Sequence, residues 1–264
     1  MKDVQNEPDV RNMPINKVGI KDLRYPITVL DRQKSVQHTV ATINMYVDLP
    51  HQYKGTHMSR FVEMLHVLEP EISVRRVSKI LEAMMKYLQA NSAHIEICFP
   101  YFIEKVAPVS SIRGLMDYDC RFIGSSYANN ETDIVTEVRI PITSVCPCSK
   151  EISAYGAHNQ RGEVTVAIRF NKFIWIEDLI EMVEKCASCD LYSVLKRVDE
   201  KYVTEYAYHN PKFVEDIVRD VALKLKNNAD VKWFSVSAEN FESIHHHSAY
   251  AQITSNGTPM FFGR

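Results

Sequence analysis

Residues 87–95, YLQANSAHI, form the junction between a predicted helix and the strand that follows it. A second stretch, KLKNNADVK at residues 224–232, has the same character: an apolar helix end, a short Asn-containing turn and the start of a strand. Similar junctions in the two halves of the chain indicate an internal repeat. The alternative is one large α+β domain with a chance resemblance at a helix end, because Asn-rich helix ends are common.

Outward from these junctions, hydrophobic periodicity predicts similar elements in both halves. Apolar residues spaced three and four apart predict helices, and alternating apolar and polar residues predict strands. Asn210 and Pro211 fit the N-cap and first turn of the last helix. The predicted helices span residues 58–68, 73–88, 174–186 and 211–225, and the predicted strands span residues 38–50, 94–106, 114–126, 133–145, 162–170, 231–241 and 247–255.

The sequence therefore predicts an α+β fold of two tandem β-β-α-α-β-β modules. Each module is expected to be a four-stranded antiparallel sheet with its helices on one face. The predicted divisions are a polar arm at residues 1–24, a first module at 25–128 and a second module at 129–264 that is expected to carry most of a metal site. The uncovered sheet face favours association of several copies, with sites between subunits.

Composition narrows the classes of function. A net charge of −2 and a pI near 6.6 give no broad basic field, which argues against a nucleic-acid-binding protein. The sequence contains neither a membrane-spanning apolar run nor the apolar core of a signal peptide, so we expect a cytoplasmic protein without a membrane partner. The six cysteines are better interpreted as thiols, metal ligands or catalytic groups than as disulfides.

Residues 144–164, SVCPCSKEISAYGAHNQRGEV, hold the strongest chemical signal. Cys146 and His158 offer a thiolate and an imidazole, which are strong ligands for zinc and similar ions. Lys150 and Arg161 surround the thiols with positive charge that favours the thiolate. We interpret Cys146 and His158 as metal or acid–base residues, whereas Cys148 is left between ligand and structural roles.

A rival interpretation uses four cysteines. Cys186 and Cys189 form a Cys-x-x-Cys pair that could join Cys146 and Cys148 in a closed structural zinc site. A Cys-x-Cys pair with a central proline is unusual in such sites.

A run of three histidines and several acids supply further candidates. In a strand, His245 and His247 would share one face, where they could bind metal or transfer protons. Glu200 and Glu215 lie in the charged stretch 195–216. For the remaining acids of that stretch we expect solvated positions: Asp199, Glu205 and Asp216.

Four segments together resemble one known family. CPCSKEISAYGAHNQRG, LKRVDEKYVTEYAYHNPKFVED, ENFESIHHHSAYA and the upstream GTHMSRFVEML are similar to the signature segments of the prokaryotic GTP cyclohydrolase I family of type IB. The resemblance covers nearly the whole chain from about residue 14. It implies the tunnelling fold (T-fold), with two β-β-α-α-β-β modules per chain, and a homotetramer that forms a barrel with interfacial active sites.

The resemblance also implies a reaction and a metal. Family members hydrolyse GTP to 7,8-dihydroneopterin triphosphate and formate, the entry to folate-type pterins and to some modified tRNA bases. Cys146 matches the required metal-binding thiol, His158 and Glu200 match the other ligands, and His245 matches a histidine that ligates the metal or transfers protons. The implied cofactor is manganese or zinc, since a carboxylate among the ligands shifts preference toward harder ions.

Substrate contacts follow from the same resemblance. A carboxylate that grips guanine N1–H and its exocyclic amine is placed at Glu215 or Glu242, and this two-point contact rejects adenine. Cations for the triphosphate are sought among the basic residues of the matched segments: Lys150, Arg161, Arg60 and Lys201. Ser193 stands where the family is expected to have proline, but no proposed ligand changes.

Two other functions are weighed against this one. A related T-fold enzyme acting on pterins or deazapurines would use Cys146 as a covalent nucleophile. A non-catalytic purine- or pterin-binding protein would instead contain the four-cysteine structural zinc site.

Overall fold

The computed structural model of this chain describes residues 5, 7–67, 72–129 and 131–255, with the backbone alone at residues 74 and 75. Within these ranges there are eight strands and six helices. The strands are β1 (Ile15–Asp31), β2 (Ser35–Leu49), β3 (Ser92–Val106), β4 (Arg113–Tyr127), β5 (Thr132–Val145), β6 (Asn159–Phe170), β7 (Val231–Asn240) and β8 (Ala249–Thr254). The helices are α1 (Ser59–Val67), α2 (Val74–Leu88), α3 (Pro147–Ile152), α4 (Ile176–Glu184), α5 (Arg197–His209) and α6 (Val214–Lys226).

The strands pair in chain order, β1 through β8, in one sheet, and the pairs β1–β2, β2–β3, β6–β7 and β7–β8 are antiparallel. Mixed helices and antiparallel strands confirm the predicted α+β class. No helix within the described ranges combines the length and the apolar character that crossing a membrane requires.

The chain divides into two compact units whose boundaries differ from the predicted ones. One unit comprises Met1–Pro100 and Cys120–Thr136, and the other comprises Tyr101–Asp119 and Glu137–Arg264. The division does not fall between residues 128 and 129, because β3 and β4 are long strands that each contribute residues to both units. Residues 256–264, the end of the predicted second module, lie outside the described residues, as does residue 68, the last of the first predicted helix.

In the first unit, alternation along the strands separates a buried face from a solvated one. The apolar residues Ile43, Met45 and Val47 of β2 are buried and pair with Ile97, Ile95 and Ala93 of β3. The polar residues between them face away, as the period of two requires. Helix α2 covers this apolar face with side chains spaced three and four apart, namely Val77, Ile80, Leu81 and Met84.

In the second unit, α6 lies against β7 and β8. The helix buries Ile217, Val221 and Leu225, while β7 contributes Val236 and Ala238. Helix α4 buries a similar stripe of Leu179, Ile180 and Val183. These two helices occupy the positions that periodicity predicted for the second half, residues 174–186 and 211–225.

Three local predictions were wrong. The arm was expected to extend to residue 24, but β1 begins at Ile15, where the chain pairs with Leu49 of β2. Helix α5 was not predicted, because the apolar residues on its buried side are little more than Ala207 and the half-buried Val203. Asn210 therefore ends α5 as its C-cap instead of starting the next helix, and α6 begins at Val214 after Phe213.

Candidate active site

Cys146 lies between β5 and α3, at the N-cap of the helix. Its thiol accepts a hydrogen bond from the backbone N–H of Ser149 at 3.4 Å, and Pro147 provides the fixed first turn. The backbone N–H of Cys146 donates to the carbonyl of His158 at 3.1 Å, so the loop that follows α3 returns to the start of the helix. The side chain is half-buried and free of any disulfide, which leaves the sulfur accessible to a ligand.

His158 lies just before β6 and is held from two sides. Its backbone N–H donates to Ser149 Oγ at 3.1 Å, and its ring Nδ1 lies 2.8 Å from Gln160 Oε1. Glu242 Oε2 is 3.8 Å from the same ring nitrogen, and both side chains are 14% exposed. Because Nδ1 is occupied by Gln160, the other ring nitrogen, Nε2, is the atom that can bind a metal or a substrate.

The remaining members of the predicted motif have separate partners. Cys148 is exposed on α3. Lys150 Nζ donates to the carbonyl of Tyr208 at 2.6 Å and lies 4.5 Å from the centre of the Tyr208 ring. Its ammonium is therefore engaged with the end of α5. Arg161 is exposed at the start of β6.

The candidate acids lie at the starts of two helices. Glu200 is in the first turn of α5 and Glu215 in the first turn of α6, and both are exposed. Asp199, by contrast, was predicted to be solvated and is fully buried. Its carboxylate accepts from Val109 N–H at 2.9 Å, Ser110 N–H at 2.8 Å and Ser110 Oγ at 2.6 Å, and from Lys196 N–H at 2.8 Å.

The histidine run lies in an exposed bend between β7 and β8, not in a strand as expected. The rings of His245 and His247 nevertheless share one side, stacked with centroids 5.1 Å apart and planes 15° apart. Among the described residues, no three His, Cys, Asp or Glu side chains form a group that could hold a metal ion. The structure thus brings the Cys146 and His158 segments together, but it does not gather Glu200 and His245 with them into such a group.

The four-cysteine zinc site is contradicted. Cys186 and Cys189 are buried, at 1% and 5% exposure, whereas Cys148 is exposed. Cys186 Sγ donates to the carbonyl of Met182 at 3.2 Å, and Cys189 packs with Val145 and Ala207. Burial raises the pKa of the Cys186 thiol and raises that of Cys189 to about 11, so both favour the thiol over the metal-binding thiolate.

Two cavities of the second unit lie beside the segment that contains His158 and Arg161. One, of about 350 Å³, is lined by the loop after α3 and by α5, including Tyr155, Ala157, Tyr192 and Tyr208. Sequence reasoning did not single out these tyrosines, although Tyr155 and Tyr208 stand inside the matched motifs. The cavity offers aromatic surface next to the His158 loop.

The other cavity, of about 380 Å³, is lined mainly by charged side chains of β4, β5 and β6. Arg161 lies there beside Asp117 and Asp119, and Arg139 Nε is 3.2 Å from Glu163 Oε1. Burial raises the pKa of the Glu163 carboxyl, an effect that Arg139 opposes. The mixture of charges leaves no purely cationic surface for a triphosphate within the lining of this cavity.

Solved structures share the fold of this chain at low sequence identity. Uricase from Arthrobacter globiformis superposes with a TM-score of 0.53 at 8% identity, covering 92% of this chain and 95% of its own. Urate oxidase from Bacillus subtilis 168 gives a TM-score of 0.54 at 7% identity, covering 90% and 97%. Such identities establish a common fold and leave the chemistry open.

Comparison of sequences identifies the family of this chain, which the shared fold alone does not. Residues 1–251 match the family described as type I GTP cyclohydrolase folE2. A protein named GTP cyclohydrolase FolE2 from Desulfosudis oleivorans is 68% identical over 96% of this chain and 98% of its own length. The protein of the same name from Geobacter metallireducens is 60% identical over 96% of both chains. The chain therefore belongs to the type I GTP cyclohydrolase folE2 family.

Proposed function

We infer that this protein is a GTP cyclohydrolase I, which hydrolyses GTP to 7,8-dihydroneopterin triphosphate and formate, the first step of pterin and tetrahydrofolate biosynthesis. The family match over residues 1–251 and the relatives at 57–68% identity support this function. The observation that carries it is the position of Cys146 and His158, adjacent through a backbone hydrogen bond and with an accessible sulfur and a free ring Nε2.

We propose that the enzyme uses a divalent manganese or zinc ion. The donor chemistry fits, because among the described residues Cys146 Sγ accepts a single backbone N–H bond and His158 keeps Nε2 available. Glu200, at an exposed position at the start of α5, is the proposed third ligand, and His245, exposed in the β7–β8 bend, either ligates the ion or transfers protons. When bound, the ion supplies the Lewis acidity that makes water nucleophilic near neutral pH.

Protons must also be supplied as the two C–N bonds of the guanine ring break. An imidazole is suited to this work near neutral pH. Within the proposal His245 takes this role, with His158 as the alternative donor. His245 is exposed and stacked on His247, so it can exchange protons with solvent.

Guanine recognition is proposed for Glu215 or Glu242. Glu242 is already half-buried beside His158, whereas Glu215 is exposed on α6. Either carboxylate could accept two hydrogen bonds from guanine. For the triphosphate, Arg161 is favoured over Lys150 because the Lys150 ammonium already donates to Tyr208. Arg60 and Lys201 remain further candidates, the latter 3.9 Å from Glu205 on the exposed side of α5.

The assembly belongs to the same proposal. We expect two tandem tunnelling-fold modules per chain, with four chains forming a barrel and the active sites at subunit interfaces. The element order supports the modules, since β1 to β4 follow the pattern β-β-α-α-β-β and the second half repeats it with two additional helices.

The decisive experiment measures product and metal together. Metal-stripped protein is incubated with GTP after manganese or zinc has been added back. The two products are then measured: neopterin by its fluorescence after oxidation, and formate directly. We expect product with at least one of the two ions. If no product forms with either ion, the proposed activity is refuted. Cys146→Ala should lose both activity and bound metal.

Cys186→Ala and Cys189→Ala serve as matched controls, because both thiols are buried and neither is a proposed ligand. Each should retain metal and activity. Loss of metal in both of these variants would restore the four-cysteine site.

A further inference from the structure

A line of buried polar side chains lies behind His158. Gln160, Ser144 and Asn240 are 7%, 0% and 2% exposed and come from β6, β5 and β7. His158 Nδ1 lies 2.8 Å from Gln160 Oε1, Gln160 Nε2 lies 3.5 Å from Ser144 Oγ, and Asn240 Nδ2 lies 3.2 Å from the same oxygen. Ser144 Oγ in turn lies 2.9 Å from the carbonyl oxygen of Lys212.

The Lys212 carbonyl, at the end of this line, determines which atom donates in each hydrogen bond. A backbone carbonyl can only accept, so the hydroxyl of Ser144 must donate to Lys212. With its one proton used, Ser144 Oγ can only accept from its other neighbours. Both amides therefore turn their NH₂ groups toward Ser144, which leaves Asn240 Oδ1 buried without a hydrogen-bond partner among the described residues. Gln160 then turns Oε1 toward His158.

The opposite orientation of Gln160 would place Oε1 against Ser144 Oγ, an oxygen with no proton left to give. A buried acceptor without a donor costs about 1–3 kcal/mol, so that orientation is disfavoured even though the Gln160–Ser144 contact is the longest in the line. Glu242 does not replace Gln160 in this arrangement. Its oxygen is 3.8 Å from His158 Nδ1, beyond hydrogen-bonding distance.

Packing keeps the line in place. Gly162 of β6 pairs with Asn240 of β7, and a Cβ at Gly162 would lie 2.5 Å from Asn240 Oδ1. A side chain at residue 162 would push Asn240 away from its position beside Ser144. The glycine thus permits the close approach that the buried amide requires.

We propose that Gln160 is a positioning residue that sets the tautomer of His158, through a one-way hydrogen-bond line that starts at the Lys212 carbonyl. Gln160 Oε1 requires a proton on Nδ1, which leaves the lone pair of the neutral imidazole on Nε2, the atom facing away from the line. The value of that tautomer to the enzyme rests on the proposed metal-dependent function, because Nε2 can bind an ion only when it carries no proton.

The tautomer itself is tested in the wild-type protein without metal. A neutron crystal structure at pH 8, where an ordinary imidazole is neutral, shows deuterium directly. We expect deuterium on His158 Nδ1 and none on Nε2, with the Ser144 deuterium directed at the Lys212 carbonyl. Deuterium on Nε2, or a Ser144 hydroxyl directed at Gln160, would overturn the proposal whatever the enzyme catalyses.

The consequence for metal binding is tested with Gln160→Met, which keeps the length of the side chain and removes its acceptor. Removing the hydrogen-bond partner of a metal-binding histidine lowers metal affinity about 10–100-fold. We therefore expect Gln160→Met to bind manganese or zinc about 10–100-fold more weakly than the wild type. Gln252→Met, at an exposed glutamine of β8, is the matched control and should bind metal as the wild type does.

The two experiments separate the proposals. If Gln160→Met binds metal as tightly as the control, the positioning role is wrong. If the wild type shows the expected tautomer but binds neither ion, the proposed metal-dependent function fails while the hydrogen-bond line stands.

Discussion

Asp199 shows how one carboxylate can join two distant pieces of backbone. Its oxygens accept hydrogen bonds from the β3–β4 turn at Val109 and Ser110 and from Lys196 at the start of α5. Burial alone would raise the pKa of this carboxyl, but the hydrogen bonds together outweigh burial and hold the pKa well below the usual range. Asp199 thereby fixes the helix turn that carries Glu200.

Replacing Asp199 with Asn should destabilise the protein in a pH-dependent way. Because the folded-state pKa is lowered, the ionised carboxylate stabilises the fold above the ordinary aspartate pKa, and the contribution is lost as pH falls through the folded value. We expect a lower melting temperature for Asp199→Asn at pH 7 and a smaller difference from the wild type as the pH falls below about 4.

Asp216→Asn is the matched control for that experiment. Asp216 also caps its helix, with one oxygen 3.1 Å from the N–H of Phe213, but it is only half-buried, and its ion-pair partner Arg219 lies on the same helix. It should shift the melting temperature less. Equal shifts at every pH would contradict the assigned role of the Asp199 charge.

Lys105 illustrates a buried charge shared between two acids. Its ammonium is 2.6 Å from Glu184 Oε2 and 2.9 Å from Asp190 Oδ2, and Tyr118 donates to Glu184 at 2.9 Å. Burial alone would lower the pKa of Lys105, but the two carboxylates together raise it. The pKa of Glu184 is raised as well, because its burial outweighs the attraction of a single, shared ammonium.

Lys105→Met should leave Glu184 buried without its counter-ion, at a cost of about 3–5 kcal/mol near neutral pH. A raised carboxyl pKa lowers stability above the ordinary glutamate pKa, and removing Lys105 raises that pKa further. The loss measured by urea unfolding should therefore be largest at pH 7–8 and smaller near pH 4, where Glu184 is protonated. Lys185→Met, at an exposed lysine paired with Glu181, should change little, and a loss that is the same at both pH values would contradict this account.

At the scale of elements, the packing of α2 on β4 depends on one small residue. A Cβ on Gly124 would lie 2.7 Å from Val77 Cγ1, 2.9 Å from Leu81 Cδ1 and 3.2 Å from Ile95 Cγ2. Those atoms belong to buried side chains of the helix and of β3. The helix can approach the sheet closely only because residue 124 has no side chain.

Gly124→Ala should therefore overpack this interface and lower the free energy of unfolding by about 1–3 kcal/mol. Gly55→Ala is a suitable control, since the nearest atom to a Cβ there lies 3.4 Å away on the side chain of Gln5. Urea unfolding of both variants measures the difference. A variant at residue 124 as stable as the control would show that α2 can move away from the sheet at little cost.

At the scale of the whole molecule, the proposed assembly predicts a mass. Analytical ultracentrifugation should give about four times the chain mass of 30.4 kDa. Because the described residues of one chain do not gather a three-ligand metal group, the catalytic rate per chain should fall when dilution dissociates the tetramer. An active monomer with unchanged rate would contradict interfacial active sites.

The secondary structure and the contacts between residues close in sequence could be predicted from the sequence. Periodicity predicted α2, α4, α6 and most strands, because each buries one face and the spacing of apolar residues records which face it is. Cys146 and His158 were identified together because only the short helix α3 and one loop separate them in the sequence, which keeps them near each other. Helix α5 left a fainter pattern, since its apolar residues Val198, Tyr202 and Tyr206 are exposed and only a narrow stripe is buried.

Contacts between distant residues were decided only by the tertiary structure. Asp199 reaches the β3–β4 turn across about 90 residues of sequence, and Asn240 reaches Ser144 across 96. A carboxylate or an amide has the same local signature whether it is solvated or buried, so sequence could not assign either role. The sequence determined which residue types are available for the proposed chemistry and at what spacing, whereas tertiary packing determined which of them are buried, because burial depends on neighbours that the chain brings together only when it folds.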